Sequence, residues 1–449
     1  MAAVSIASPA GPGEEEQAPL AAGPMSRPQI VAACIAVLIA ALDGYDLLAM
    51  AFAAPALTLD WGLDKATVGF LLSTALIGMA IGSLGLSPLA DVVGRRPAVL
   101  GAIGLTIVGS LLSALSLSVP LLAFSRILTG MGIGTLVPLT TTIASEFVNA
   151  KSRPFAIAAT TVGLPVGSII GALVAALLLR HFGWHSVFLS GAIAGTMVLL
   201  VVAVALPESP AFLIARRPAD ALARLNRVMA RLGRAPVQDL PPGRTRERAS
   251  YKALFTPELI ATTLRFVAIQ VLVSTSAYYL INWLPQLIAD MGFSPSTASL
   301  ASAASSVVGI FSGLLFGAVA TRFGPAPLAG AAMIGFGIAI AVFGVVPPHL
   351  SAVIVAASAC GFFLNGCTGI FFATVAASFP PLSRVSGIGF VMGIGRVFSI
   401  LGPTLAGWLF GAGLTRAGVS LIFGVAPVVA GLLLLSTVVG RRPKGPAAA

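Results

Sequence analysis

Charge is what this sequence has least of. Asp, Glu, Lys and Arg make up 9% of its 449 residues, while 57% are hydrophobic and the mean hydropathy is +1.00. A soluble fold of this length cannot bury so much apolar surface, so a soluble globular protein is excluded. Cysteine is scarce too: Cys34, Cys360 and Cys367 all fall inside long apolar runs, which excludes a disulfide framework and a thiolate metal site. The three histidines, His181, His185 and His349, fall in outer connecting segments or at the outer edge of a span, leaving none at depth to carry a proton or hold a metal, and no cofactor is expected. Residues 1–28 lack the basic leader and short apolar core of a secretory signal and are expected to form a disordered cytoplasmic tail. The net charge of +11 gathers beside apolar runs, as the positive-inside rule asks, and implies no nucleic-acid partner.

What is present is apolar sequence in membrane-length pieces. The hydropathy predicts spans at about 30–57, 66–88, 98–118, 120–146, 155–178, 184–206, 263–289, 298–320, 328–346, 350–378, 385–411 and 417–440. Twelve such segments make an all-α polytopic membrane protein. Arg95, Arg96, Lys151, Arg153, Arg322 and Arg384 fall on one side, against only Lys65, Arg180 and Arg416 on the other, so both termini are expected in the cytoplasm. The one long connection, 207–262, carries Leu222, Leu225, Val228, Met229 and Leu232 opposite Arg224, Arg227 and Arg231. That spacing predicts an amphipathic helix on the inner membrane surface.

The halves on either side of this linker echo each other. Pro55 and Pro285 are 230 residues apart, as are Gly94 and Gly324; Arg153 and Arg384, and Gly171 and Gly402, are 231 apart. A fixed offset predicts a duplicated six-helix unit, 29–206 and 263–440, with a tail at 441–449. Duplicated bundles rock about a site between them, which is the logic of a carrier.

The deep charges then stand out. Asp43 and Asp46 lie within the first apolar run, where one aspartate costs roughly 2.5–3.5 kcal/mol. Three residues apart on a helix, they share a face and exchange protons as a coupled pair, so they are the expected proton site. Only Arg126 and Arg396 are comparably deep among the basic residues. Arg126 and Asp46 differ in height by about 6 Å, near enough for contact between the first and fourth spans. A guanidinium stays ionised and binds a carboxylate bidentately, so these arginines suit an anionic substrate. The competing reading is a set of ion pairs that merely tie helices together.

Tyr45, Tyr278 and Tyr279 lie inside spans, away from the interface tyrosine prefers, and their hydroxyls need partners. A polar cavity is therefore expected, with Asn282, Trp283 and Asn365 contributing. Phe362, Phe363, Phe371 and Phe372 are candidates for stacking on a flat ligand. Gly78 and Gly82, and Gly163, Gly167 and Gly171, have the spacing for close helix contact.

Leu89-Ala90-Asp91-Val92-Val93-Gly94-Arg95-Arg96-Pro97 resembles the signature loop of the major facilitator superfamily, with Ser87 where glycine is usual and Val92 where a basic residue is usual. The resemblance implies the major facilitator fold of two pseudo-symmetric six-helix bundles, and gating by Asp91 and Arg95, joined by Glu146 at the end of the fourth span. The second copy, Gly317 through Gly324, has Thr321 in the acid's place. Asp43-Gly44-Tyr45-Asp46 resembles the first-helix motif of the aromatic acid:proton symporters. Arg126 opening Arg-Ile-Leu-Thr-Gly-Met-Gly-Ile-Gly, Pro207-Glu208-Ser209-Pro210, Gly395-Arg396 and Gly402-Pro403 support it.

This resemblance implies a monomeric carrier in the inner (cytoplasmic) membrane that imports an aromatic carboxylate with protons and is not an enzyme. Asp43 and Asp46 would couple the proton and the arginines would engage the anion. The alternatives are a proton-coupled exporter of drugs or organic cations, or a sugar or other organic-anion porter. The deep arginines oppose a cationic ligand.

Overall fold

Among the described residues, twelve helices of 20 to 35 residues have the length and apolarity to cross a bilayer. They are α1 (Arg27–Trp61), α2 (Lys65–Val93), α3 (Arg95–Ala114), α4 (Val119–Glu146), α5 (Arg153–Leu178), α6 (His185–Ala205), α7 (Ile260–Asp290), α8 (Pro295–Phe323), α9 (Pro325–Val345), α10 (Leu350–Ser378), α11 (Ser386–Gly411) and α12 (Arg416–Ser436). The computed structural model describes residues 24–240, 254–380 and 383–439, and these contain no strand. An even number of spans returns both ends of the described chain to one face, called here the terminus face.

Local chemistry sets the helix ends. Ser26 and Gln29 form a capping box, the Gln29 N–H donating to Ser26 Oγ (3.4 Å) and the Ser26 N–H to Gln29 Oε1 (3.1 Å). Helix α1 therefore begins at Arg27, two residues inside the segment expected to be tail. Gly62, in the left-handed region at φ 62°, ends it. Asp64 caps α2 through the Thr67 N–H. Hydrogen bonds from Thr67 hold the Asp64 carboxyl below its ordinary range.

Helix pairing repeats at an interval of six. In the first half α1 packs on α5 and α6, α2 on α4, and α3 on α4 and α6; in the second α7 packs on α11 and α12, α8 on α10, and α9 on α10 and α12. The sequence echo has physical content. Gly94 and Gly324 close α2 and α8 with positive φ, 109° and 80°. Gly171 makes room for Tyr45 of α1, and Gly402 for the backbone of Thr275 and Tyr279 of α7.

The halves meet at the face opposite the termini. There Lys65 pairs with Asp290 at 2.5 Å, Thr58 Oγ1 donates to Gln286 Oε1 (3.3 Å), and Ser296 Oγ donates to the Ala176 carbonyl (2.7 Å). Slightly deeper, Ser73 meets Thr404 at 2.7 Å, and Gly69 lies against Gly407 so closely that a Cβ on either would strike the other's backbone. Towards the terminus face α2 and α11 diverge: residues 401–411 of α11 pack along α2, while residues 386–398 scarcely meet it. Gly85 of α2, Gly317 of α8, and Gly389 and Gly393 of α11 have nothing within 4 Å of where a Cβ would stand. The molecule is closed at one face and open at the other.

Two short linker helices, Pro210–Arg216 and Ala221–Arg231, follow α6. The second is amphipathic as expected, but its apolar face is not laid on lipid. Leu225, Val228, Met229 and Leu232 are buried in a cluster with Phe147, Val148, Leu213 and Ile214, so the helix docks on the first half and turns Arg224, Arg227 and Arg231 outward. Residues 1–23, 241–253 and 440–449, covering most of the expected first tail, part of the linker and the whole tail at 441–449, lie outside the described residues.

Candidate functional site

Asp43 and Asp46 are each 1% exposed on α1, and Arg126 on α4 is fully buried. Glycine sets the geometry. Gly44 and Gly167 let the backbones of α1 and α5 touch, which fixes the rotation of α1. Asp46 is then turned towards α3 and α6, where its Oδ1 accepts from Ser110 Oγ at 3.4 Å and lies over Gly191.

Arg126 meets the first helix by a different atom from the one expected. Its Nη2 donates to the Asp46 backbone carbonyl at 2.7 Å, and among the described residues no side-chain ion pair joins the two. The guanidinium sits 5.3 Å from the Phe188 ring centroid, a cation–π contact that seals it inside the first half. Among the described residues, Arg126 Nε and Nη1, Asp43 Oδ1 and Asp46 Oδ2 are buried and meet no hydrogen-bond partner. A bare buried polar group costs about 1–3 kcal/mol, so this cluster is not arranged for stability alone.

Arg396 differs. It is half-buried on α11, in the second half, within coulombic range of Asp43 across the seam and of Tyr278 on α7. The four deep charges thus comprise a pair sealed inside the first half (Asp46, Arg126) and Asp43, equally buried, which lies within coulombic range both of Asp46 and of Arg396 across the seam.

The expected polar cavity lining is only partly realised. Tyr45 OH donates to the Val187 carbonyl (2.6 Å) beside Ser190, and its ring fills the α5–α6 side of α1. Tyr279 bonds Ser420 at 3.0 Å and stacks on Phe423, facing α12. Trp283 Nε1 donates to the Pro403 carbonyl at 3.1 Å. Asn282 and Asn365 donate one turn back along their own helices, to Tyr278 and Gly361, and Asn365 also packs over Gly309 of α8. These five side chains are held by neighbouring helices or their own. Of the expected lining only Tyr278 is half-exposed beside a deep arginine. Phe362 and Phe363 pack on each other and on Phe316 and Gly335, and Phe371 and Phe372 on each other.

At the terminus face the expected gate residues come together. Arg95 pairs with Asp91 (2.9 Å) and with Glu146 (3.4 Å) and donates to the Ala90 carbonyl (3.1 Å). The linker completes the cluster, which the sequence did not reveal. Glu208 accepts the backbone N–H groups of Arg95 (2.8 Å), Arg96 (3.2 Å) and Ser209 (2.9 Å), so a carboxylate caps α3. Ser209 Oγ donates to Glu146 at 2.5 Å, Arg216 Nε donates to the Asp91 carbonyl at 2.6 Å, and Phe212 lies under the Arg95 guanidinium. In the second half Thr321 only bonds back to Ala318, and no ion pair forms there among the described residues.

A family model described as the Major Facilitator Superfamily matches residues 33–294 and 266–449. The chain belongs to that superfamily. Among solved structures it is similar to the D-xylose-proton symporter, with a TM-score of 0.71 at 18% identity, over 90% of this chain and 97% of that one. Among curated proteins it is 32% identical to the 4-hydroxybenzoate transporter PcaK of Pseudomonas aeruginosa, over 90% of this chain and 92% of that protein. It is 29% identical to a gallate transporter of Pseudomonas putida, over 94% and 95%.

As a major facilitator the protein is a multi-pass membrane transporter and not an enzyme. The loop that resembles the superfamily's signature holds the Asp91–Arg95 ion pair, and Glu208 and Ser209 are built into the same polar cluster. A sequence signal for these two did exist, the Pro-Glu-Ser-Pro after α6, but only the fold brings it beside a loop more than a hundred residues earlier.

Proposed function

We propose that this transporter imports an aromatic carboxylate together with protons by alternating access, across a cytoplasmic membrane with its termini inside. The observation that carries the reading is the division of the deep charges between a pair sealed in the first half and Asp43, which lies within coulombic range of Arg396 across the seam. With Asp43 and Asp46 ionised, two carboxylates balance two guanidiniums. An anion arriving at Arg396 leaves the site one negative charge in excess, in surroundings where an unbalanced charge is costly. A proton on Asp43 removes the excess, so substrate and proton enter together. Closure at one face and opening at the other supports a rocking cycle, in which the conformation described is the inward-facing one. The likeness to 4-hydroxybenzoate and gallate transporters supports an aromatic acid as the anion.

The test is uptake of labelled 4-hydroxybenzoate into vesicles holding the purified protein, with an imposed pH gradient. Accumulation is expected when the outside is acidic and is expected to vanish in Asp43→Asn, which still inserts and folds. Gradient-driven accumulation by Asp43→Asn at the wild-type level would overturn the coupling, and competition by a lipophilic cation in place of the acid would overturn the substrate class.

A further inference from the structure

We propose that Gln270 on α7 is a specificity-determining residue that reads a ring hydroxyl on an aromatic acid whose carboxylate Arg396 holds. The proposal rests on the reading above and narrows its substrate class to hydroxylated rings.

Five side-chain amides lie within the spans: Gln29, Gln270, Asn282, Gln286 and Asn365. Four are engaged. Gln29 donates to the Phe147 carbonyl and accepts from Ser26 and Arg234. Gln286 donates to Asp290 one turn along its own helix and accepts from Thr58 across the closed seam, and the two asparagines bond their own helices. Among the described residues the amide of Gln270 meets no hydrogen-bond partner, although its backbone carbonyl accepts from Ser274. A primary amide inside a membrane protein costs several kcal/mol when bare and dry, so this one needs water or a ligand. Gln270 is half-buried, ten residues and about 15 Å along α7 from the terminus face, on the side where the halves are apart.

Its position relative to Arg396 is fixed by packing. The Gln270 side chain lies over Gly395, where a Cβ would come 2.5 Å from its Cγ and 2.7 Å from its Nε2. Gly395 immediately precedes Arg396. Tyr278, eight residues further along α7, is within coulombic range of the same arginine. Helix α7 therefore carries an amide packed on the residue that precedes this arginine and, two turns on, a phenol within coulombic range of it. An amide both donates and accepts, as a ring hydroxyl does, whereas an unsubstituted ring edge offers neither. A site built to bond a hydroxyl discriminates against an analogue that lacks it, since the amide is then left unpaired.

The experiment compares uptake of 4-hydroxybenzoate and benzoate by wild type, Gln270→Leu and Gly395→Ala, the last pushing the amide aside without removing it. Preference for the hydroxylated acid, taken as the ratio of the two kcat/KM values, is expected to fall about tenfold in both variants. An unchanged ratio in variants that keep the wild-type melting temperature overturns the assignment. Should Gln270→Leu fail to fold, Gly395→Ala alone decides. Wild-type protein that takes up neither acid fails the proposed function itself. One that takes up both without preference fails only this inference.

Discussion

Arg126 and Arg396 carry the same charge and answer to different surroundings. Arg126 is fully buried, hydrogen-bonded to the Asp46 carbonyl and covered by Phe188, so its guanidinium is part of the first half's interior. Arg126→Leu should strand the buried Asp46 carboxylate and cost about 3–5 kcal/mol, read as a collapsed melting temperature in detergent. Arg396→Leu removes a half-buried group and should change the melt far less, while abolishing the stabilisation that the proposed function expects from added 4-hydroxybenzoate. The sequence could place both arginines at depth, because hydropathy reports distance along a span. It could not separate them, because which way a side chain faces depends on helix rotation. Here that rotation is set by contacts such as Gly44 against Leu164 and Gly167 against Ala41. The same blindness explains Tyr45 and Tyr279, whose hydroxyls found Ser190 and Ser420 on neighbouring helices instead of a cavity.

The spans were the most legible elements. Apolar length and short polar breaks located all twelve, and errors at their ends came from capping chemistry such as Ser26–Gln29, which extends a helix past its apolar run. The linker was half legible. Its 3.6-residue apolar period announced a helix, but periodicity does not say whether the apolar face meets lipid or protein, and here it meets Phe147 and Leu213. The part Glu208 plays in this cluster was not legible because its three partners are backbone N–H groups, two of them more than a hundred residues away. Glu208→Gln should weaken the cap on α3 by about 1 kcal/mol, seen as a melting temperature lower by a few degrees, with a larger loss in Glu208→Ala.

At the scale of the molecule, the fixed offset of 230 or 231 residues foretold paired six-helix units, and the packing repeats at that interval. What a sequence cannot show is which face is shut. The closed face relies on one partly exposed ion pair, Lys65–Asp290, a hydrogen bond from Arg180 Nε to Ser296 Oγ, a few neutral hydrogen bonds and the Gly69–Gly407 contact. An ion pair of that exposure contributes up to about 1 kcal/mol, so Lys65→Ala should shift the balance towards opening at this face by roughly fivefold at most. Spin labels on the α1–α2 and α11–α12 loops would register this as a growing long-distance population. The exchanged pair, Lys65→Asp with Asp290→Lys, should restore the wild-type distribution.

The balance of two carboxylates against two guanidiniums also has an electrical side. Asp46 and Arg126 belong to one half and move together, so rocking displaces no charge of one relative to the other. A cycle that admits one proton with each anion carries no net charge across the bilayer, and the membrane voltage, worth about 2.3 kcal/mol per charge per 100 mV, has nothing to act upon. Such a carrier draws on acidity alone, and continues to fill a cell whose voltage has collapsed for as long as the outside stays more acidic than the inside.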